Sequence, residues 1–427
     1  MRSNAEELTA EIAAPGTSGH RYVAVRAFTN YLCEPLETED YVVQTMTDVS
    51  PTKWHLAHTT WFFETFVLNE FVENYTPFHP RYAYLFNSYY IQAGERHCRD
   101  KRGALTRPTV REIVAYRDYV DRHMVALLNE RPDLFDRSPE SVLEIGLNHE
   151  QQHQELLVTD IKHVFSVNPL KPVYRPRNDE PALSGSPASW CEFGEGIYEV
   201  GWNQAGFSYD NEGPRHRVYL QDFALADRLV TNGEFLEFME DGGYRRPELW
   251  LSDGWAMADT EGWEAPAYWE KDDGGWRMFT LSGLRPIEAG EPVTHISYYE
   301  ADAFARWAGH RLPTEFEWEV ASESVPIEGA FVDGGRFHPA PAGPETGGLR
   351  QMYGEVWQWT QSHYSPYPGY TPPPGAIGEY NGKFMCNQFV LRGGSCATSA
   401  SHIRRTYRNF FHAPARWQFT GIRLARG

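Results

Sequence analysis

No stretch of about 18 apolar residues occurs in this chain, so no segment is expected to span a membrane. Met1 to Pro15 carries Glu6, Glu7 and Glu11 and lacks an apolar core, so no secretory signal is expected and the expected location is the cytoplasm. Cysteine is scarce. Cys33, Cys98, Cys191, Cys386 and Cys396 are scattered, odd in number and form no CxxC. That pattern excludes a disulfide framework and fits a reducing compartment. Positive charge is also short: 39 Lys and Arg face 58 Asp and Glu, a net charge of −19. Such a field repels nucleic acid and anionic bilayers, so neither is an expected partner. It favours a cationic small molecule.

What is present is length and rings. At 427 residues the chain is too long for one ordinary core, and two domains are expected. Aromatic residues make up 15% of it, enough for large buried rings and aromatic-lined pockets. Residues 1–18 are polar and are expected to be a mobile N-terminus. A helical bundle is expected over 19–168, a Pro-rich linker over 169–190, and a second domain over 191–427. The first helix is expected from about His20 to Leu36. The second opens with Ser50 as cap and Pro51 at the first helical position. The third opens with the capping box Thr109-Val110-Arg111-Glu112, and the fourth with Ser138-Pro139.

Histidine is the residue type that organises this half. His149 and His153 lie four residues apart, which on a helix turns their side chains by only ~40°. A pair so placed is ordinarily solvated or hydrogen-bonded. It becomes a candidate metal site when another helix supplies a further ligand. Trp54-His55-Leu56-Ala57-His58 offers that ligand, and spacing leaves His55 and His58 both open. Gln152 points to nearly the same side as His149. Between helices two and three lies a connection of about 35 residues, 74–108, too long to be a mere linker in a compact bundle. It holds Tyr89 and Tyr90 and the basic run Arg96 to Arg102, which can receive a carboxylate.

The second half is richer in Gly, Trp and short strand-like runs, such as Arg217 to Leu220 and Val390 to Arg392. Helices are expected at Tyr298–Ala308 and Thr314–Ala321. The expected class is α+β.

Four stretches carry a resemblance: Arg311-Leu312-Pro313-Thr314-Glu315-Phe316-Glu317-Trp318-Glu319, Tyr353-Gly354-Glu355-Val356-Trp357-Gln358-Trp359-Thr360, Arg392-Gly393-Gly394-Ser395 and Gly421-Ile422-Arg423-Leu424. The second half resembles the formylglycine-generating-enzyme/sulfatase-modifying domain, a C-type-lectin-like fold. The first half resembles the DinB four-helix bundle. In this order they resemble the EgtB family of ergothioneine-pathway sulfoxide synthases. No second cysteine follows Gly394-Ser395-Cys396 at the spacing that copper-dependent formylglycine enzymes use, which argues against their chemistry.

The resemblance implies a non-haem iron(II) oxidoreductase. It would use O2 to join the imidazole of hercynine (Nα-trimethylhistidine) to a thiol sulfur and oxidise that sulfur. Tyr89-Tyr90, Gly94 to His97 and Tyr407 to Phe411 resemble the branch that takes free cysteine. Cys98 departs from the proline expected there. γ-Glutamylcysteine and selenium donors stay open. So does a zinc thiol transferase using the same histidines, and a lectin-like binding protein without turnover. The implied metal ligands are His58, His149 and His153. Tyr89 and Tyr90 are the implied proton donors. Gln152, Asn409, Phe410 and Phe411 are the implied hercynine contacts, because a quaternary ammonium needs aromatic faces or weak acceptors. Arg99 and Arg102 are assigned to the cysteine carboxylate.

Overall fold

The computed structural model describes residues 17–134, 141–177, 187–344 and 347–427. Four helices dominate the first half: α1 (Ser18–Cys33), α2 (Thr52–Phe63), α3 (Val110–Glu130) and α4 (Val142–Val167). The expected bundle is there. Its helix starts follow local side-chain chemistry. Thr17 caps α1, Thr109 and Glu112 form the reciprocal box on α3, and the Ser141 hydroxyl accepts from the Glu144 N–H at the start of α4. The expected opening at Ser138-Pro139 lies outside the described residues. On α2 the cap falls one residue later than expected, on Pro51. Ser50 is otherwise engaged: its N–H donates to Asp160 and its hydroxyl accepts from Arg102. The helix does not run evenly to Val72 either. It widens into a π turn over Glu64–Leu68, with the Glu64 carboxylate accepting from Tyr75, Phe78 and Tyr116.

α2 is buried on every side, and it packs against both α3 and α4. Gly146 lets α4 come close: a Cβ there would lie 2.6 Å from the Phe63 ring. His149 follows three residues later, so this close approach sets the height at which it meets α2.

Among the described residues the second half carries twelve strands: β1 (Trp190–Phe193), β2 (Gly196–Val200), β3 (His216–Leu220), β4 (Phe223–Ala226), β5 (Trp269–Asp272), β6 (Gly275–Thr280), β7 (Gly283–Pro286), β8 (Trp357–His363), β9 (Gln388–Arg392), β10 (Asn409–His412), β11 (Thr420–Gly421) and β12 (Ala425–Arg426). They form small sheets of order β1-β4-β12, β10-β9-β8-β11, β2-β3 and β5-β6-β7, antiparallel except for β11 on β8. The expected helices appear as Tyr298–Trp307 and Glu315–Ala321, and two unforeseen ones span Asn232–Glu240 and Ser252–Glu261. The class is α+β, as expected.

The four sequence motifs of this half meet in its interior. Arg392 binds Glu315 at 3.1 Å and Glu319 at 2.8 Å, while Trp318 and Arg423 both donate to the Gln358 side-chain oxygen, at 2.9 and 2.8 Å. Each buried charge thus finds an opposite charge or an acceptor.

Contacts divide the chain into two units. The first holds 1–169 with 204–209 and 372–380; the second holds 170–203, 210–371 and 381–427. The described start of the expected linker is tied to the second unit, where the Tyr174 and Arg175 N–H groups donate to the Leu281 carbonyl. Among the described residues no helix is long and apolar enough to cross a membrane, and all five cysteines are free.

Candidate metal centre

His58 on α2 and His149 and His153 on α4 each offer a ring nitrogen, all within 4.8 Å of one another. The tautomers of two of these rings are set by their neighbours. His58 Nδ1 lies 2.5 Å from the Phe86 carbonyl, which can only accept. The proton therefore sits on Nδ1, and Nε2 keeps its lone pair. His153 Nδ1 meets His55 Nδ1 at 2.9 Å, leaving the His153 Nε2 for the shared space. His55, which spacing alone could not separate from His58, is thus a support and not a member of the triad.

His58 Nε2 and His149 Nε2 face each other at 3.2 Å, and buried His149 Nδ1 has no hydrogen-bond partner among the described residues. Two ring nitrogens that aim lone pairs at a common point fit a cation. Nitrogens each about 2.1 Å from one ion would stand about 3 Å apart at right angles. The donor set therefore suits a borderline divalent ion such as Fe(II) or Zn(II). Burial pushes the His58 and His153 rings well below the usual histidine value, with the neighbouring imidazoles adding to it, and burial takes His149 down to about 3. All three are neutral near pH 7, the state a metal requires. Trp54 and Trp61 stack on the two sides of His58, with ring centroids 4.6 and 5.4 Å away.

Around the triad stands a set of phenols. Tyr89 and Tyr90 stack with centroids 4.5 Å apart, and the Tyr89 hydroxyl donates to that of Tyr90 at 3.4 Å. Tyr380, which no pattern in the sequence singles out, sits edge-on to His149 at 5.7 Å and donates its hydroxyl to the Gln152 side-chain oxygen. Tyr209 stacks on Tyr380 at 5.2 Å. Burial, then the adjoining phenols, lift Tyr90 and Tyr380 well above the usual tyrosine value, so both keep their protons through neutral pH.

Of the two assigned arginines, Arg102 is buried and Arg99 is exposed. Arg102 lies over the Trp54 ring at 3.3 Å and donates to the Ser50 and Ser88 hydroxyls, with no carboxylate partner among the described residues. Burial, and then Arg99, lower it to about 9. Arg99 donates to the Thr47 and Asp48 carbonyls. Asn409, Phe410 and Phe411 belong to the second unit, on β10 paired with β9. There Phe410 stacks on Tyr364 at 4.1 Å.

The chain matches the family described as Sulfatase-modifying factor enzyme 1-like domain over residues 193–346 and 335–427, and the DinB superfamily over 21–157. It is 38% identical over 246 residues to the hercynine oxygenase of Mycolicibacterium smegmatis, covering 51% of this chain and 56% of that protein. It is 30% identical over 241 residues to the formylglycine-generating enzyme of Streptomyces coelicolor, covering 47% and 76%. Ergothioneine biosynthesis protein 1 of Schizosaccharomyces pombe is 28% identical over 234 residues, covering 52% and 28%. The match spans only about half the length of the hercynine oxygenases.

Proposed function

We propose, from the premise that the chain belongs to the EgtB family, that it is an iron(II)- and O2-dependent sulfoxide synthase acting on hercynine and L-cysteine. The product is hercynylcysteine sulfoxide. One C–H and one S–H bond are lost, a C–S bond forms, one oxygen atom goes to sulfur and the other leaves as water. The observation that carries this reading is the trio of neutral ring nitrogens, His58, His149 and His153, converging on one point. An iron held there would supply the redox chemistry and bring thiol, imidazole and O2 together.

The residues of the chain do the rest. Gln152, whose side-chain oxygen accepts the Tyr380 hydroxyl beside the triad, would orient the substrate imidazole by a hydrogen bond. Tyr90, with Tyr89 or Tyr380, holds a proton ready for delivery beside the triad. Arg102 is a buried guanidinium that makes no ion pair among the described residues, which suits the carboxylate of the amino-acid thiol. Asn409, Phe410 and Phe411 are assigned to the trimethylammonium group by the family resemblance alone. Free cysteines support the cytoplasmic reading, and the charge of −19 supports small-molecule partners rather than nucleic acid.

The test is anaerobic loading with Fe(II), then hercynine, air and one donor at a time, with mass spectrometry of the product. Cysteine is expected to give the sulfoxide. Faster turnover of γ-glutamylcysteine or of a selenium donor would reassign the donor. Transfer without O2 and with zinc would reject the oxygenase reading.

A further inference from the structure

The His153 ring is addressed by a chain of groups that ends on a carboxylate. Asp160, two turns further along α4, accepts the Ser50 N–H at 2.8 Å through Oδ2. The same oxygen lies 2.9 Å from His55 Nε2. His55 Nδ1, on the other side of that ring, lies 2.9 Å from His153 Nδ1. Ser50, His55, Asp160 and His149 are buried, while His153 is only partly so.

Each link in this chain has one direction. A carboxylate has no proton to give, so His55 Nε2 carries the proton and donates it to Asp160. When His153 presents Nε2 to a metal, its one N–H is on Nδ1, so His153 Nδ1 donates and the His55 Nδ1 lone pair accepts. His153 Nε2 is left bare, on the side where His58 and His149 present their own nitrogens. The Ser50 N–H pins the carboxylate from the N-terminal edge of α2, so the two metal-bearing helices hold the chain from both ends.

We infer that Asp160 and His55 form a carboxylate–histidine relay that sets the tautomer and orientation of His153 for metal binding. They are positioning residues: neither touches the metal. The sequence feature behind it is His55 and His58 on one side of α2, with Asp160 seven residues after His153. The same relay explains why this helix carries two histidines when only one is a ligand. The inference rests on the reading that the triad holds a metal. Outer partners of this type commonly set metal affinity by ten- to a hundredfold.

The experiment is performed on the full chain. Binding of Co2+ and, without air, Fe2+ is measured by competition with a chelator for wild type, Asp160→Ala, Asp160→Asn, His55→Ala and His55→Asn. One ion per chain is expected for wild type. Asp160→Ala and His55→Ala are expected to bind about ten- to a hundredfold more weakly. Asp160→Asn keeps an oxygen facing His55, and His55→Asn keeps one facing His153. Both are expected to stay within a few fold of wild type. A general loss of structure would not be repaired by these two conservative changes. Long-range 1H–15N spectra of the metal-free protein, labelled on histidine, read the tautomer directly and should place the His153 proton on Nδ1. Should one alanine variant fail to fold, the Ala/Asn comparison at the other position and these spectra carry the test. Alanine variants that bind as tightly as wild type, or a His153 proton on Nε2, overturn the relay while leaving the metal site standing. A wild type that takes up neither ion overturns the metal reading instead, and the spectra then decide the relay.

Discussion

Arg102 and Arg99 sit three residues apart and do different work. The Arg102 guanidinium is out of water, over the Trp54 ring, and held by hydroxyls that neutralise none of its charge. Arg99 is on the surface, with the Thr47 and Asp48 carbonyls and, at 3.8 Å, the Asp48 carboxylate as its partners. If Arg102 holds the substrate carboxylate as proposed, Arg102→Leu would remove one charged hydrogen bond, about 1.5–3 kcal/mol, and KM for cysteine should rise tenfold or more. Arg99→Leu should change KM by less than about threefold, the scale of an exposed charge. Steady-state kinetics on the two variants checks this; equal effects would reject the assignment. Tyr90 is argued from the same scale. Its hydroxyl is buried, keeps its proton and meets that of Tyr89. Tyr90→Phe should shift flux from the coupled sulfoxide toward cysteine sulfinate. An unchanged product ratio by mass spectrometry would remove Tyr90 from the proton path.

The element that matters most is α4, and two of its residues govern where its histidines stand. Gly146 allows the close approach to Phe63. Gly146→Ala puts a methyl into filled space, so it should destabilise by about 1–3 kcal/mol and weaken metal binding together. Glu150, adjoining His149, locks the opposite face. Its carboxylate takes Arg117 at 2.6 Å and Arg26 at 2.8 Å, and Thr29 donates to it at 2.7 Å. Burial would raise this carboxyl, but Arg117 and Arg26 outweigh it and hold it at about 2. A folded value below the unfolded one, about 4.3, means a contribution complete above that pH and lost as pH falls toward 2. Glu150→Gln leaves buried Arg117 without its carboxylate and Arg26 with Asp121 alone, and should cost about 3–5 kcal/mol. Melting temperature against pH should show the wild-type loss between about 4.3 and 2 missing from the variant. The neutral His149 acts in the same direction at higher pH. Protons prefer the unfolded chain, so the metal-free protein should weaken as pH falls from about 6.5 toward 3. The helices themselves were legible, because Thr109 with Glu112 and Thr314 with Glu317 are local signals that burial does not overrule. The π turn at Glu64 was not. It depends on Tyr75, Phe78 and Tyr116 closing on one carboxylate, and nothing in the spacing of residues 52–72 announces that.

At the scale of the whole molecule, two folding units and their class could be read from where helical periodicity stops and Gly, Trp and Pro take over. The four motifs of the second half were legible as a resemblance, and the structure gives them a physical role as one buried charge network. The contribution of 204–209 and 372–380 to the first unit was hidden, since contacts between segments so far apart in the chain leave no local periodicity. Yet that is how Tyr209 and Tyr380 reach the histidines. One carboxylate fastens the second of these segments: Glu379 accepts the N–H groups of Ile91 at 3.0 Å and Gln92 at 2.8 Å, directly after the Tyr89-Tyr90 pair. Glu379 thereby ties the Tyr380 segment to the Tyr89-Tyr90 turn, in addition to the Tyr380 hydroxyl bond to Gln152. Glu379→Ala should loosen that tie. Limited proteolysis of the full chain should then cut within 372–380 several-fold faster, while the melting temperature shifts little, because the helices keep their own packing. Sulfoxide yield per cysteine consumed should fall with it. Unchanged cleavage with a lowered yield would mean that Glu379 acts on the reaction by charge and not by holding the segment in place.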